Sequence, residues 1–153
     1  TMKKLFAIVL TVALLMSLSV TAFAANTTGG DADITTSIAP TYTVTIPADV
    51  NVAFNATETA FGTIEVTASQ IHPDKCIKVA LATDNELNNA IDNTKVIPYA
   101  IKDSKGAAFT SATYLTEGDK TELSIHITAN DWNAAYAGDY SDTVTFTVSY
   151  EDK

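Results

Sequence analysis

Apolar and polar side chains alternate with a period of two along most of the chain beyond residue 33. Such alternation predicts β-strands with one buried face, and the Val, Ile, Thr, Tyr and Phe residues that dominate these runs favour that structure. The runs are DITTSIAP (33–40), TYTVTIPAD (41–49), VNVAFN (50–55), FGTIEVTAS (61–69), CIKVALAT (76–83), VIPYAIK (96–102), AFTSATYLT (108–116), KTELSIHITA (120–129) and AGDYSDTVTFTVSYEDK (137–153).

Turn-forming sequences separate these runs and indicate how they connect. DSKG (103–106) and EGD (117–119) each lie between two predicted strands and favour tight turns. Residues 83–94 predict a loop or a single helical turn. Residues 129–138 predict one capped helical turn, with Asn130 or Asp131 as the N-cap and Gly138 ending it. The pattern therefore predicts an all-β, antiparallel, immunoglobulin-like β-sandwich of about seven to nine strands.

The first 24 residues have the pattern of a secretory signal peptide. Lys3 and Lys4 precede an apolar stretch that is too short to span a membrane comfortably, and Ala22-Phe23-Ala24 provides a cleavage site. We therefore expect a signal peptide over 1–24, a flexible leader and donor strand over 25–39, and the β-sandwich domain over 40–153. This organisation predicts a secreted, extracellular protein.

Charge changes the range of expected partners. The chain has nine Lys, no Arg and 18 acidic residues; loss of 1–24 leaves seven Lys against 18 acids, a net charge of −11. Such a surface repels phosphate backbones and anionic lipids, so we expect no nucleic-acid partner and no membrane binding after signal cleavage. Cys76 is the only cysteine, which excludes an intramolecular disulfide.

The residues that usually carry enzymatic chemistry are sparse. His72 lies in a turn beside Pro73, and His126 falls on the polar side of a predicted strand, so neither has a zinc-like spacing or a nucleophile motif around it. Most carboxylates fall in predicted turns, where they commonly bond the local backbone. We expect no catalytic residues, no cofactor and no metal.

Trp132, Tyr136 and Tyr140 cluster just before the last strand and allow two interpretations. Exposed rings could stack on sugars, as in a carbohydrate- or cell-wall-binding module. Alternatively, the Trp plugs one end of the sandwich and a Tyr fixes the corner before the strand.

The C-terminal run AGDYSDTVTFTVSYED resembles the closing strand of two kinds of secreted bacterial β-sandwich. One is the spore-coat-U-like group of pilin subunits; the other comprises Gram-positive surface domains, including WxL-type domains. The residues that carry the resemblance are Ala137, Gly138, Tyr140, Asp142, Val144, Phe146, Val148 and Tyr150. The disulfide common in the first group and the Trp-x-Leu signature of the second are both absent.

The resemblance implies a cell-surface structural or adhesive subunit that assembles into a pilus- or fibre-like polymer by β-strand exchange. A final strand rich in Val, Phe and Thr needs a neighbour, because a bare strand edge aggregates. The leader has a matching alternation and could pair with that strand within one chain or between chains. The expected strand-exchange residues are Ile34, Thr36 and Ile38 in the leader, and Val144, Phe146 and Val148 in the last strand.

Overall fold

The computed structural model describes the backbone of residues 9–13 and all of residues 31–153. The rest of the expected signal peptide, and residues 25–30 of the expected leader, lie outside the described residues.

The described residues form eleven strands and one short helix. Their bounds are β1 (Val9–Ala13), β2 (Thr41–Thr45), β3 (Glu58–Gln70), β4 (Lys75–Ala82), β5 (Glu86–Asn89), β6 (Val96–Pro98), β7 (Ala100–Asp103), β8 (Ser111–Tyr114), β9 (Lys120–His126), α1 (Ala129–Ala134), β10 (Tyr140–Ser141) and β11 (Thr145–Asp152). Every strand pairing is antiparallel.

The strands form three sheets. The largest has the order β1-β2-β3-β9-β7, and the two smaller ones have the orders β11-β4-β8 and β10-β5-β6. The predicted all-β antiparallel fold is confirmed. The apolar sides of strands from all three sheets meet in one hydrophobic core, as the period of two requires.

The core consists of the inward residues of the central strands. Ile64 and Val66 on β3 and Ile77 and Val79 on β4 are fully buried, and Leu123 on β9 is nearly so. On β3 and β9 their neighbours in sequence are polar and less buried, so the alternation read from the sequence corresponds to the two faces of that sheet. On β4 the neighbour Cys76 is also buried.

The prediction was wrong for the run VNVAFN (50–55), which forms a loop rather than a strand. Pro47 precedes it and packs against Gly62 of β3, at 3.1 Å from the position that a Cβ would take there. Asn55 takes a left-handed conformation with φ of 65°, and the amide of Ala56 donates to the carbonyl of Ala53 in a turn. This geometry bends the run away from β2, although Val52 still packs on the core.

Ten strands lie within residues 31–153, which is more than the expected seven to nine. Residues 86–89, expected in a loop or helical turn, form β5. The run at 96–102 divides into β6 and β7, which belong to different sheets. The change of sheet falls beside Pro98, which cannot donate a backbone hydrogen bond to a continuing ladder.

The predicted helical turn exists, but its caps differ from those expected. Thr128 is the N-cap, because its hydroxyl accepts from the amide of Asp131 at 3.2 Å. The helix ends with Ala135 as its C-cap, three residues before Gly138.

Candidate functional site

The last strand, β11, has one paired edge and one open edge among the described strands. It pairs with β4 in a continuous register from Thr145 opposite Ala82 to Asp152 opposite Lys75. It is the outermost strand of its sheet, so its other edge carries backbone donors and acceptors with no strand beside them.

The inward side chains of β11 are less buried than those of central strands. Val144, Phe146 and Val148 pack against the core but keep part of their surface exposed, whereas Val79 on the neighbouring β4 is fully buried. This difference is expected where a further strand could still cover an apolar row.

An apolar groove lies beside Val144 and Phe146, between the start of β11 and the segment that follows β2. Its cavity has a volume of about 410 Å³. The apolar walls include Phe61, Leu87, Ile101, Ile125, Val144 and Phe146. Residues 46–50 form one rim of the groove, opposite residues 142–144.

The two ends of the space between β2 and β11 differ. The cavity lies at one end, where Asp49 and Asp142 line it. At the other end, outside the cavity, the rings of Tyr42 on β2 and Tyr150 on β11 stack with centroids 5.8 Å apart. Because the start of β2 meets the end of β11, and the residues after β2 face those before β11, these two strands run in opposite directions.

Asp142 is held in place by a small polar network. Its side chain accepts hydrogen bonds from the Tyr99 hydroxyl and, at 3.2 Å, from the Thr83 hydroxyl. Thr83 and Tyr99 also share a bond of 2.8 Å. Burial, assisted by the bond to Asp142, raises the pKa of Tyr99 well above its ordinary value of 10.0. The network fixes the direction in which the chain enters β11.

Ion pairs surround the far end of β11. Lys75 lies 2.5 Å from the carboxylate of Asp152, and Lys78 lies 3.4 Å from that of Glu151. The Lys153 ammonium donates to the carbonyl of Pro73 at 2.5 Å. Hydrogen bonding to Ser149, followed by bonding to Lys78, lowers the pKa of Glu151. Positive and negative charges are therefore mixed here, in contrast to the acidic end of the groove.

The described part of the leader contacts the domain very little. Residues 31–38 are exposed and form no strand; Ile34 is 100% and Ile38 67% exposed. Ile34 and Thr36 thus lie in water, while Ile38 borders a second cavity together with Ile71 and Pro73.

The outer edge of β2 is paired with β1, Val9 opposite Thr45 through Ala13 opposite Thr41. Residues 9–13 belong to the expected signal peptide. This pairing indicates that the β2 edge accepts an antiparallel strand beside the groove.

The aromatic cluster at α1 has mainly a packing geometry. The Trp132 indole donates to the carbonyl of Ala56 at 2.8 Å, and its ring meets Phe54 edge-on at 5.6 Å. The Tyr140 hydroxyl donates to the carbonyl of Tyr136 at 3.0 Å. Trp132 and Tyr140 pack against the core, so the three rings do not share one exposed face.

Two aromatic rings at this end do remain exposed. Phe54 is 77% and Tyr136 64% exposed, and the ammonium of Lys95 lies 5.0 Å from the centre of the Tyr136 ring. Sequence reasoning did not single out Phe54 as exposed, because its position depends on the loop that replaces the predicted strand at 50–55.

The two histidines do not share a site. His72 pairs with the adjacent Asp74 in an exposed turn, and the ring of His126 bonds Ser124 at 2.9 Å. No group of three or more His, Cys, Asp or Glu side chains suited to a metal occurs among the described residues. Nor does the described part of the chain contain a helix long and apolar enough to cross a membrane.

Reasoning from sequence found one wall of the groove, formed by Val144 and Phe146, but not the other. The rim at 46–50 and the Asp142 network arise from approaches between residues far apart in the chain. The only local signal was Asp142 itself, within the run that resembles pilin closing strands. No family model matches the sequence, and neither a curated protein nor a solved structure matches it.

Proposed function

We propose that this protein is a secreted, non-enzymatic structural or adhesive subunit of a bacterial cell surface, with an immunoglobulin-like sandwich that assembles by β-strand exchange. The leader of one copy adds to the open edge of β11 in another copy. The partner is thus a second copy of this chain.

One observation carries the proposal: the open edge of β11 borders an apolar groove while an alternating apolar leader lies exposed. The inward row Val144, Phe146 and Val148 spans five residues, as does the leader row Ile34, Thr36 and Ile38. An added strand would bond the free backbone groups of β11 and place its inward side chains in the groove.

The groove has room for such side chains. An apolar cavity of roughly 150 Å³ holds a benzene molecule, and this groove encloses about 410 Å³. Because two separate chains must associate, assembly should depend on protein concentration.

Size-exclusion chromatography with light scattering on residues 25–153 tests this function. We expect assemblies that grow with concentration, and a monomer when residues 25–39 are deleted, with an unchanged far-ultraviolet circular dichroism spectrum. A protein that remains monomeric at high concentration, with and without the leader, would contradict strand exchange.

A second function, binding of cell-wall or host glycans, is favoured by the exposed rings of Phe54 and Tyr136. Trp132 and Tyr140 would support these rings from beneath rather than stack on the sugar. A peptidoglycan pull-down distinguishes the roles: Tyr136→Ala should abolish binding while Trp132→Phe retains it. Binding that survives both Tyr136→Ala and Phe54→Ala would exclude this surface.

A further inference from the structure

The leader has two routes into the groove, and they differ in direction. It is joined to β2 at Thr41, which lies at the end of the space between β2 and β11 where Tyr42 and Tyr150 stack, outside the cavity. If the leader folds back on its own domain, its C-terminal end must stay at that end. Its N-terminal end then lies at the opposite, acidic end, and the leader runs parallel to β11.

A leader from a second copy is not tied to that end. It can enter antiparallel to β11, with Ile38 near Val144 and Ile34 near Val148. Pro40 and the donor's domain then lie beyond the end that Asp49 and Asp142 line, rather than against the Tyr42–Tyr150 stack. Antiparallel addition also forms the slightly more stable ladder.

Charge distinguishes these two directions. The leader has carboxylates at Asp31 and Asp33, while residues 34–40 are uncharged. Self-insertion brings both carboxylates toward Asp49 and Asp142, which line the cavity. The antiparallel route brings them instead toward the end that holds Lys75, Lys78 and Lys153, where charges of both signs are mixed. Like charges brought close together in a partly desolvated site repel each other.

We propose that Asp49 and Asp142 exclude the chain's own leader from the groove and so reserve it for the antiparallel leader of a second copy. This inference rests on the proposed strand exchange and assigns to these two residues the choice between closure and assembly. In the structure, residues 9–13 pair with the β2 edge beside the groove, and residues 31–38 are exposed outside it.

The first test removes the repulsion from the leader side, where folding is not at risk. In residues 25–153, Asp31→Asn with Asp33→Asn should lower the assembled fraction severalfold at a fixed concentration, because self-closure now competes. Asp49→Asn, on the exposed rim, should act in the same direction. The matched control is Glu117→Gln with Glu122→Gln, which removes two exposed carboxylates that do not line the groove and should not reduce assembly.

The second test reads the direction of the leader with outward-facing positions. In a Cys76→Ala background, Ser37→Cys combined with Thr145→Cys should form disulfides between chains. Ser37→Cys combined with Ser149→Cys should form few disulfides while Asp31 and Asp33 are present. When both are replaced by Asn, this pair should form a disulfide within one chain.

The outcomes separate this inference from the function on which it rests. If the wild type assembles and the Asp31/Asp33 double variant assembles to the same extent as the control, the charge selection is wrong and strand exchange stands. If the wild type stays monomeric, both the charge selection and strand exchange are overturned. This holds whether the Ser37/Ser149 pair crosslinks within one chain or neither pair crosslinks.

Discussion

Gly138 shows at the residue scale why the Ala-Gly-x-Tyr sequence precedes the last strand. It has a φ of 146°, and a Cβ placed on it would lie 2.6 Å from Nδ2 of Asn89. Asn89 is a buried polar residue whose side-chain oxygen accepts from the amides of Ile91 and Asp92. Glycine therefore allows the chain to pass directly over this buried amide on its way to β10 and β11.

Gly138→Ala should destabilise the protein by more than its backbone strain alone. Positive φ costs an alanine about 1–2 kcal/mol, and overpacking against Asn89 adds roughly 1–3 kcal/mol. Gly106→Ala is the matched control, because Gly106 has a φ of 81° and nothing within 4 Å of the added Cβ. Urea unfolding compares the two; equal losses would mean that the contact with Asn89 does not matter.

The carboxylate of Asp119 makes the free energy of unfolding depend on pH in the acidic range. Its carboxylate accepts from the amides of Leu115 at 2.7 Å and Thr116 at 2.9 Å, and these bonds lower its pKa below the ordinary 3.8. A carboxyl whose pKa is lower in the folded state stabilises the fold above the unfolded pKa. That contribution is lost as the pH falls from about 5 through the lower, folded pKa.

Asp119→Asn should therefore lower the free energy of unfolding at pH 7 and flatten its decline between about pH 5 and pH 2. Urea titrations at several pH values measure both effects. Glu117→Gln in the same turn is the control and should leave the pH profile unchanged. If the free energy of unfolding falls equally steeply with decreasing pH in wild type and Asp119→Asn, Asp119 is not the cause of that decline.

At the element scale, the leader is expected to stabilise assemblies but not the fold. Ile34→Asp with Ile38→Asp should weaken association at least tenfold, equivalent to about 1.4 kcal/mol, because charged side chains would enter an apolar groove. The melting temperature of the monomer should not change, since both isoleucines are exposed. Dilution followed by light scattering gives the dissociation constant.

The control places the same charges on the other face of the leader. Thr35→Asp with Ser37→Asp should affect association much less, because these side chains point away from the groove in the proposed register. Comparable losses in the two double variants would indicate a general charge effect rather than insertion of Ile34 and Ile38.

Strands such as β4 and β9 could be predicted because their alternation is continuous and no residue interrupts their ladders. The run at 50–55 shows the same alternation, but Pro47 and the left-handed Asn55 direct it into a loop. Residues 86–89 lack alternating apolar residues and become β5 because their neighbours β6 and β10 pair with them. Local pattern thus fixes a strand only where tertiary contacts do not override it.

The candidate site shows the same limit. The row on β11 and the complementary row in the leader could be read from the sequence, since each is a local alternation. The groove between β11 and residues 46–50, and the placement of Asp142 by Tyr99 and Thr83, depend on contacts between distant parts of the chain.

At the scale of the whole molecule, assembly should couple to stability through mass action. A partner that binds only the folded state raises the melting temperature as its concentration rises. The melting temperature of residues 25–153 should therefore increase by a few degrees over a hundredfold rise in concentration, whereas that of residues 40–153 should stay constant. Scanning calorimetry measures both, and parallel behaviour of the two proteins would contradict a role for the leader.

Amide hydrogen exchange in β11 reports directly whether a leader strand docks on the open edge of this strand. Residues 40–153 are compared alone, with a synthetic peptide of residues 31–40, and with the same peptide carrying Ile34→Asp and Ile38→Asp. We expect the wild-type peptide to slow exchange at alternate amides between Val144 and Tyr150, and the substituted peptide to leave exchange unchanged. Unchanged exchange along β11 at saturating wild-type peptide would mean that the leader does not add to this edge.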